Sequence, residues 1–166
     1  MKNYKVGIIG ATGMVGQRFA TLLENHPWFT VTALAASKRS AGKTYKECVE
    51  SRWAMTTPIP KAMEDMIILD AANVEEVASK VDFVFCAVDM PKDQIRELEE
   101  AYAKAECPVV SNNSAHRHTP DVPMVIPEIN ADHIKIIDSQ RKRLGTKKGF
   151  VAVKSNCSLQ SYVPAV

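Results

Sequence analysis

KVGIIGATGMVGQRF, residues 5–19, is the stretch that decides the fold. Lys5 to Ile9 is short, apolar and rich in β-formers, GATGMVG follows, and Val15, Phe19, Leu22 and Leu23 then recur at helical spacing. The segment reads as strand, glycine turn, helix. Gly10, Gly13 and Gly16 form GxxGxxG, a departure from the commoner GxGxxG, at the place where a dinucleotide site needs glycine. Glycines there let the backbone turn tightly and approach a pyrophosphate, whose charge is favoured by the free amides and positive dipole end of the helix. Gly10, Thr12, Gly13, Met14 and Val15 are the expected contacts. The competing reading is a glycine turn that only packs helix against strand.

Working outward, Thr30–Ala35 predicts a second strand, and the runs Met66–Leu69, Asp82–Val88, Pro108–Ser111 and Phe150–Val153 predict further buried ones. Ile95, Leu98, Tyr102 and Ala105 repeat at three- or four-residue steps and predict an amphipathic crossover helix, started by Pro91 and ended by Cys107–Pro108. This alternation specifies an α/β fold: a Rossmann-like, doubly wound, mainly parallel sheet with helices on both faces and ligands beyond the carboxyl ends of the strands. Residues 39–61 and 112–130 read as loop-rich insertions. The basic residues Arg141–Arg143, Lys147 and Lys148 read as a solvated surface turn.

After the second strand, where an NAD-selective site places an acid against the ribose hydroxyls, the chain has Ala36-Ser37-Lys38-Arg39-Ser40. No carboxylate repels a 2′-phosphate there. Arg39 offers a fork of donors, and Ser37 and Ser40 offer short hydrogen bonds, so NADP is the expected cofactor in preference to NAD. The competing reading is a solvated polar loop.

Near the chain end, Lys154-Ser155-Asn156-Cys157-Ser158 follows the last predicted strand and leads into a helix. A cysteine at a helix start has its thiolate stabilised by free amides and the dipole, and Lys154 adds positive potential. Cys157 is therefore the candidate nucleophile. Cys48, Cys86 and Cys107 read as small buried apolar residues.

Composition narrows the class. The 166 residues are 46% hydrophobic and 24% charged, as expected of one globular domain, and 21 basic against 19 acidic residues leave a charge of +2 that points to neither nucleic acid nor an anionic membrane. No apolar run reaches the roughly 20 residues of a membrane helix, and MKNYKVGIIG leaves no room for a secretory signal. A cytoplasmic location is expected. The four cysteines include no CxxC pair, and no metal site is expected.

Taken in order, GATGMVGQRF, SKRSAGK (residues 37–43), SNNSAHR (residues 111–117) and SNCS (residues 155–158) resemble aspartate-semialdehyde dehydrogenase, in particular its archaeal and fungal branch. The resemblance runs from Lys5 to the last residue. It implies that Cys157 is the nucleophile, that Thr12 to Val15 hold the pyrophosphate, that Ser37, Arg39 and Ser40 contact the adenosine phosphate, and that Asn113 and Arg117 bind the acyl phosphate or inorganic phosphate. It implies the NADP-dependent reduction of L-4-aspartyl phosphate to the semialdehyde through a cysteine thioester, a step of amino-acid biosynthesis.

The family continues into a second domain that carries a catalytic histidine, a substrate-binding arginine and dimer contacts. This sequence ends nine residues after Cys157, so residues 1–156 are expected to be the NADP-binding domain and 157–166 the start of a catalytic domain whose remainder is missing. Homo-oligomers are expected where that domain is present. His116, His118 and His133 do not match the motif of the family's catalytic histidine and read as solvent-facing loop residues; His116 and His118 lack a third metal ligand. Two related chemistries remain open, N-acetylglutamyl-phosphate reduction and malonyl-CoA reduction. A reading of another class also remains, a non-catalytic NADP-binding module.

Overall fold

Consecutive apolar residues in a strand point to opposite faces, so a strand buried at every position must be covered on both sides. Val6 to Ile9 satisfy this condition at the end of β1 (Tyr4–Ile9), and Ala33 to Ala36 satisfy it at the end of β2 (Phe29–Ala36). The computed structural model describes residues 3–160. It divides between Asp89 and Met90 into two compact units, where composition suggested one domain.

The first unit adds β3 (Ile68–Asp70) and β4 (Phe83–Cys86) to a parallel sheet in the order β3-β2-β1-β4. The chain thus winds outward from β1 through β2 to β3, then crosses to the other side of β1, which makes the carboxyl end of β1 the switch point where open α/β sheets hold ligands. Helix α1 (Met14–Leu23) follows β1 directly. Val6, Ile8, Ala20, Leu34 and Ile68 pack in the core, and Phe19 stacks on Phe85 with ring centroids 4.9 Å apart.

The segment from Arg39 to Lys61 is more ordered than the sequence reading allowed. Thr44 and Glu47 form a capping box that starts α2 (Tyr45–Val49), a 3-10 turn continues to Arg52, and α3 (Lys61–Glu64) follows. Tyr45 is wholly buried, and its hydroxyl donates to the Ala11 carbonyl at 3.2 Å. Burial pushes its phenol far above the ordinary range. Helix α4 (Val74–Ala78) completes the unit and buries Val77.

The second unit contains α5 (Lys92–Lys104), β5 (Val109–Ser111), β6 (Met124–Val125), α6 (Pro127–Asn130), α7 (Ile137–Leu144), β7 (Val151–Lys154) and α8 (Cys157–Gln160). Its strands run parallel in the order β5-β7-β6. The two residues of β6 and the single turn of α6 lie in the path read as loop, too short to carry a periodicity. Helix α5 starts after Pro91 as expected, but its buried face is Ile95, Glu99, Tyr102 and Ala103; Ala105 lies outside it.

The basic stretch is also corrected. Arg141, Lys142 and Arg143 form the last turn of α7, and Arg143 pairs with Asp121 at 2.5 Å and with Glu100 at 2.8 Å. Glu106 accepts the amides of Lys147, Lys148 and Gly149, which hold its carboxyl below the usual range. A partly solvated turn is therefore pinned by charge-assisted bonds. No helix among the described residues is long and apolar enough to cross a membrane.

Gly16 brings α1 onto the end of β1: a Cβ there would overlap the Gly10 carbonyl oxygen and the Ala11 backbone. Gly13 is open, with the Gly10 oxygen 3.5 Å from an added Cβ. Gly16→Ala is therefore expected to destabilise the chain by about 1–3 kcal/mol, an overpacking cost, while Gly13→Ala changes stability little. Urea unfolding midpoints of the two variants test this contrast.

Candidate functional site

In the first unit, the three glycines of the turn do different work. Gly10 sits at φ 84°, a left-handed conformation that glycine reaches without strain, and an added Cβ would meet the Ala87 backbone after β4. Gly10 and Gly16 are thus packing glycines. Gly13 is the exposed N-cap of α1, with no capping side chain and no acid in the first turn. Its own amide donates to the Gly10 carbonyl at 3.1 Å, and the helical ladder begins with Gln17 N–H to Gly13 O at 2.9 Å. That leaves the amides of Met14 and Val15 without a helical acceptor, on residues 69% and 40% exposed. An uncapped positive helix end at the switch point suits the pyrophosphate of a dinucleotide.

Gln17 is a residue the sequence reading passed over. It is buried, and its amide nitrogen donates to the Thr12 carbonyl at 3.2 Å and the Arg52 carbonyl at 3.3 Å, while its oxygen accepts from Ala54 N–H at 2.9 Å. It therefore ties the glycine turn to residues 52–54. Its signal was present, a polar residue one turn before Ala20 on the buried face of α1.

Beyond β2, Ser37, Lys38 and Arg39 are exposed and Ser40 is buried. The amides of Ser40 and Ala41 donate back to the Ser37 carbonyl at 2.8 and 3.3 Å, so the four residues form a single tight turn. Among the described residues the fork of Arg39 is held by no ion pair, and it is available to an anion.

In the second unit, Cys157 is exposed and opens α8. Lys154 Nζ donates to its Sγ at 3.3 Å. That contact, reinforced by the charge of Lys154 and more weakly by Arg117, pulls the thiol below its ordinary value. Arg117 donates to the carbonyls of Lys154 and Ser155, each at 3.3 Å, and so lies against the segment that presents the thiol. Asn113 is nine-tenths buried and donates its side-chain amide to Glu99 at 2.8 Å. The structure therefore gathers Arg117, Lys154 and Cys157, while Asn113 faces inward.

His116 departs from expectation. Read as a solvent-facing loop residue, it is 1% exposed because the turn after β5 folds it against Glu99 on α5. Desolvation holds its imidazole below the ordinary range, against the opposing pull of Glu99. His118 is exposed as expected, and His133 is partly buried with Nδ1 at the Met124 backbone. Among the other cysteines, Cys86 and Cys107 are buried and Cys48 partly so.

A parallel α/β sheet whose first strand runs through a glycine turn into an uncapped helix is that of a Rossmann-like dinucleotide-binding domain. The profile of the semialdehyde dehydrogenase NAD-binding domain matches residues 5–137, and the chain belongs to that family. It is 43% identical over 157 residues to aspartate-semialdehyde dehydrogenase of Archaeoglobus fulgidus, covering 93% of this chain and 43% of that protein. The Aspergillus fumigatus enzyme of the same name is 42% identical over 155 residues, with 93% of this chain and 41% of that protein covered. The crystal structure of the Candida albicans enzyme with NADP matches at a TM-score of 0.85 and 37% identity, covering 99% of this chain and 46% of that one. The chain spans less than half the length of these relatives.

The Lys154 contact makes a direct expectation. Because the positive charge stabilises thiolate, the rise of the iodoacetamide reaction rate with pH should move to higher pH in Lys154→Met and stay near wild type in Lys154→Arg. A stopped-assay rate–pH profile read at Cys157 by mass spectrometry checks it.

Proposed function

We propose that the chain is the cofactor-binding and nucleophile-bearing part of an NADP-dependent aspartate-semialdehyde dehydrogenase that acts on L-4-aspartyl phosphate. The observation that carries this reading is the contact between Lys154 Nζ and Cys157 Sγ beside Arg117: a thiolate held ready next to a guanidinium suited to phosphate.

The amides of Met14 and Val15 hold the pyrophosphate, and Arg39, with Ser37 and Ser40, holds the 2′-phosphate that distinguishes NADP from NAD. The absence of an acid from residues 36–40 supports that choice. When bound, NADPH supplies the hydride that reduces the acyl carbon.

The Cys157 thiolate attacks the carbonyl carbon of the acyl phosphate, forming a C–S bond as the C–O bond to phosphate breaks. Phosphate departs toward the Arg117 guanidinium, with Asn113 on the same loop. The Lys154 ammonium lowers the proton affinity of the nucleophile before attack and stabilises it again as a leaving thiolate when the aldehyde is released. Splitting the reaction at a thioester replaces one difficult displacement by two easier steps.

Fluorescence titration of the chain with NADPH and with NADH tests the cofactor assignment. NADPH is expected to bind more tightly, and Arg39→Ala to weaken NADPH by about ten- to hundredfold, the worth of charge-assisted hydrogen bonds, while leaving NADH unchanged. Equal binding of both nucleotides, or no effect of Arg39→Ala, overturns it.

A further inference from the structure

Glu99 and His116 are each 1% exposed, and among the described residues neither Glu99 Oε2 nor His116 Nε2 makes a well-formed hydrogen bond; the two atoms face each other at 3.9 Å, with the Arg96 backbone also beside the imidazole. A buried polar atom left unpaired costs about 1–3 kcal/mol, so two of them in opposition call for an explanation.

Counting donors and acceptors supplies one. Glu99 Oε1 accepts from Ser111 Oγ at 2.5 Å and from Asn113 Nδ2 at 2.8 Å, and Ser111 Oγ in turn accepts the Asn113 backbone amide at 3.0 Å. On the other side, His116 Nδ1 lies 3.0 Å from Thr119 Oγ1. If Thr119 donates to Nδ1, the imidazole proton resides on Nε2 and points at the bare oxygen of Glu99. Every polar atom in the cluster is then matched, through a small approach of the two groups or one intervening water.

We propose that Glu99 is a positioning residue for the loop from Ser111 to Thr119, holding His116 as the Nε2–H tautomer and, through that grip, setting Arg117 beside Cys157. Helix α5 holds this loop at further points. Glu99 binds Ser111 and Asn113, and Arg96 Nε donates to the Ala115 carbonyl at 2.9 Å. The Arg117 amide closes a turn onto the Ser114 carbonyl at 3.3 Å, so the guanidinium leaves a backbone fixed on both sides. The chain of contact runs from the buried face of α5, through the loop, to the carbonyls of Lys154 and Ser155. Glu99 makes no contact with Cys157 or Arg117 among the described residues, and its influence on Arg117 is indirect.

The functional half of this inference rests on Arg117 and Cys157 forming the phosphate site; the tautomer half does not. Long-range 1H–15N spectra of the chain read the tautomer directly. Wild type should show Nε2–H at His116. In Glu99→Gln the new amide still accepts from Ser111 and Asn113 but donates toward His116, so the proton should move to Nδ1. An Nδ1–H imidazole in wild type, or an unchanged tautomer in Glu99→Gln, overturns the proposal whether or not phosphate binds.

The second measurement is the concentration of inorganic phosphate that half-protects Cys157 from iodoacetamide. Glu99→Ala should raise it about tenfold, the loss of one or two buried hydrogen bonds, and Glu99→Gln should stay close to wild type. If phosphate protects wild type and Glu99→Ala alike, Glu99 does not position the loop. If phosphate fails to protect wild type at all, it is the assignment of Arg117 and Cys157 as a phosphate site that falls, and the spectra still decide the tautomer. His116→Gln, which keeps polar atoms at both ends of the cluster, gives a second folded variant should Glu99→Ala not fold.

Discussion

The approach of α1 to the end of β1 is the constraint on which the first unit depends. Gly16 removes the side chain that would hold the two elements apart, Gly10 makes room for the Ala87 backbone, and Gly13 as N-cap leaves the positive end of α1 without a capping side chain. The apolar strands supply the burial that holds this geometry, since Val6, Ile8 and Ile9 are wholly excluded from water. Buried Gln17 then fixes the turn from the other side, through the carbonyls of Thr12 and Arg52. A phosphate site made of backbone amides needs such rigidity, because its donors cannot adjust one by one.

The second unit uses side chains for the same purpose. Glu106 gathers three successive amides before β7, and Arg143 joins α7 to Asp121 and Glu100. At the other end of β7, Lys154 and Cys157 stand three residues apart across the turn into α8, with Arg117 reaching over the two carbonyls between them. Positive charge is thereby concentrated beside an exposed thiol.

What the sequence made legible follows from how local each signal is. The strand, glycine turn and helix at residues 4–23 could be read because their periodicities change over a few residues, and Cys157 could be singled out because its flanks are polar. The capping box of Thr44 and Glu47 is equally local, but the five residues of α2 are too few to show a helical period, so the segment reads as loop. Burial of His116 was not legible in this way. It depends on Glu99, seventeen residues earlier, standing on the buried face of α5 where the periodicity had placed Leu98 and Ala105. The same holds for Gln17 and Arg117, whose partners lie 35 to 38 residues away. Polar residues that act through distant backbone groups leave no spacing to recognise; an acid or amide on an apolar helix face is the nearest thing to a signal.

The account turns on Cys157 being the atom that takes the acyl group, and intact-mass spectrometry of the chain after brief exposure to L-4-aspartyl phosphate tests that most directly. An aspartyl adduct confined to Cys157, released by hydroxylamine and absent from Cys157→Ala, is the predicted result. A folded chain whose thiol reacts with iodoacetamide yet acquires no acyl group, or acquires it equally in Cys157→Ala, would contradict it.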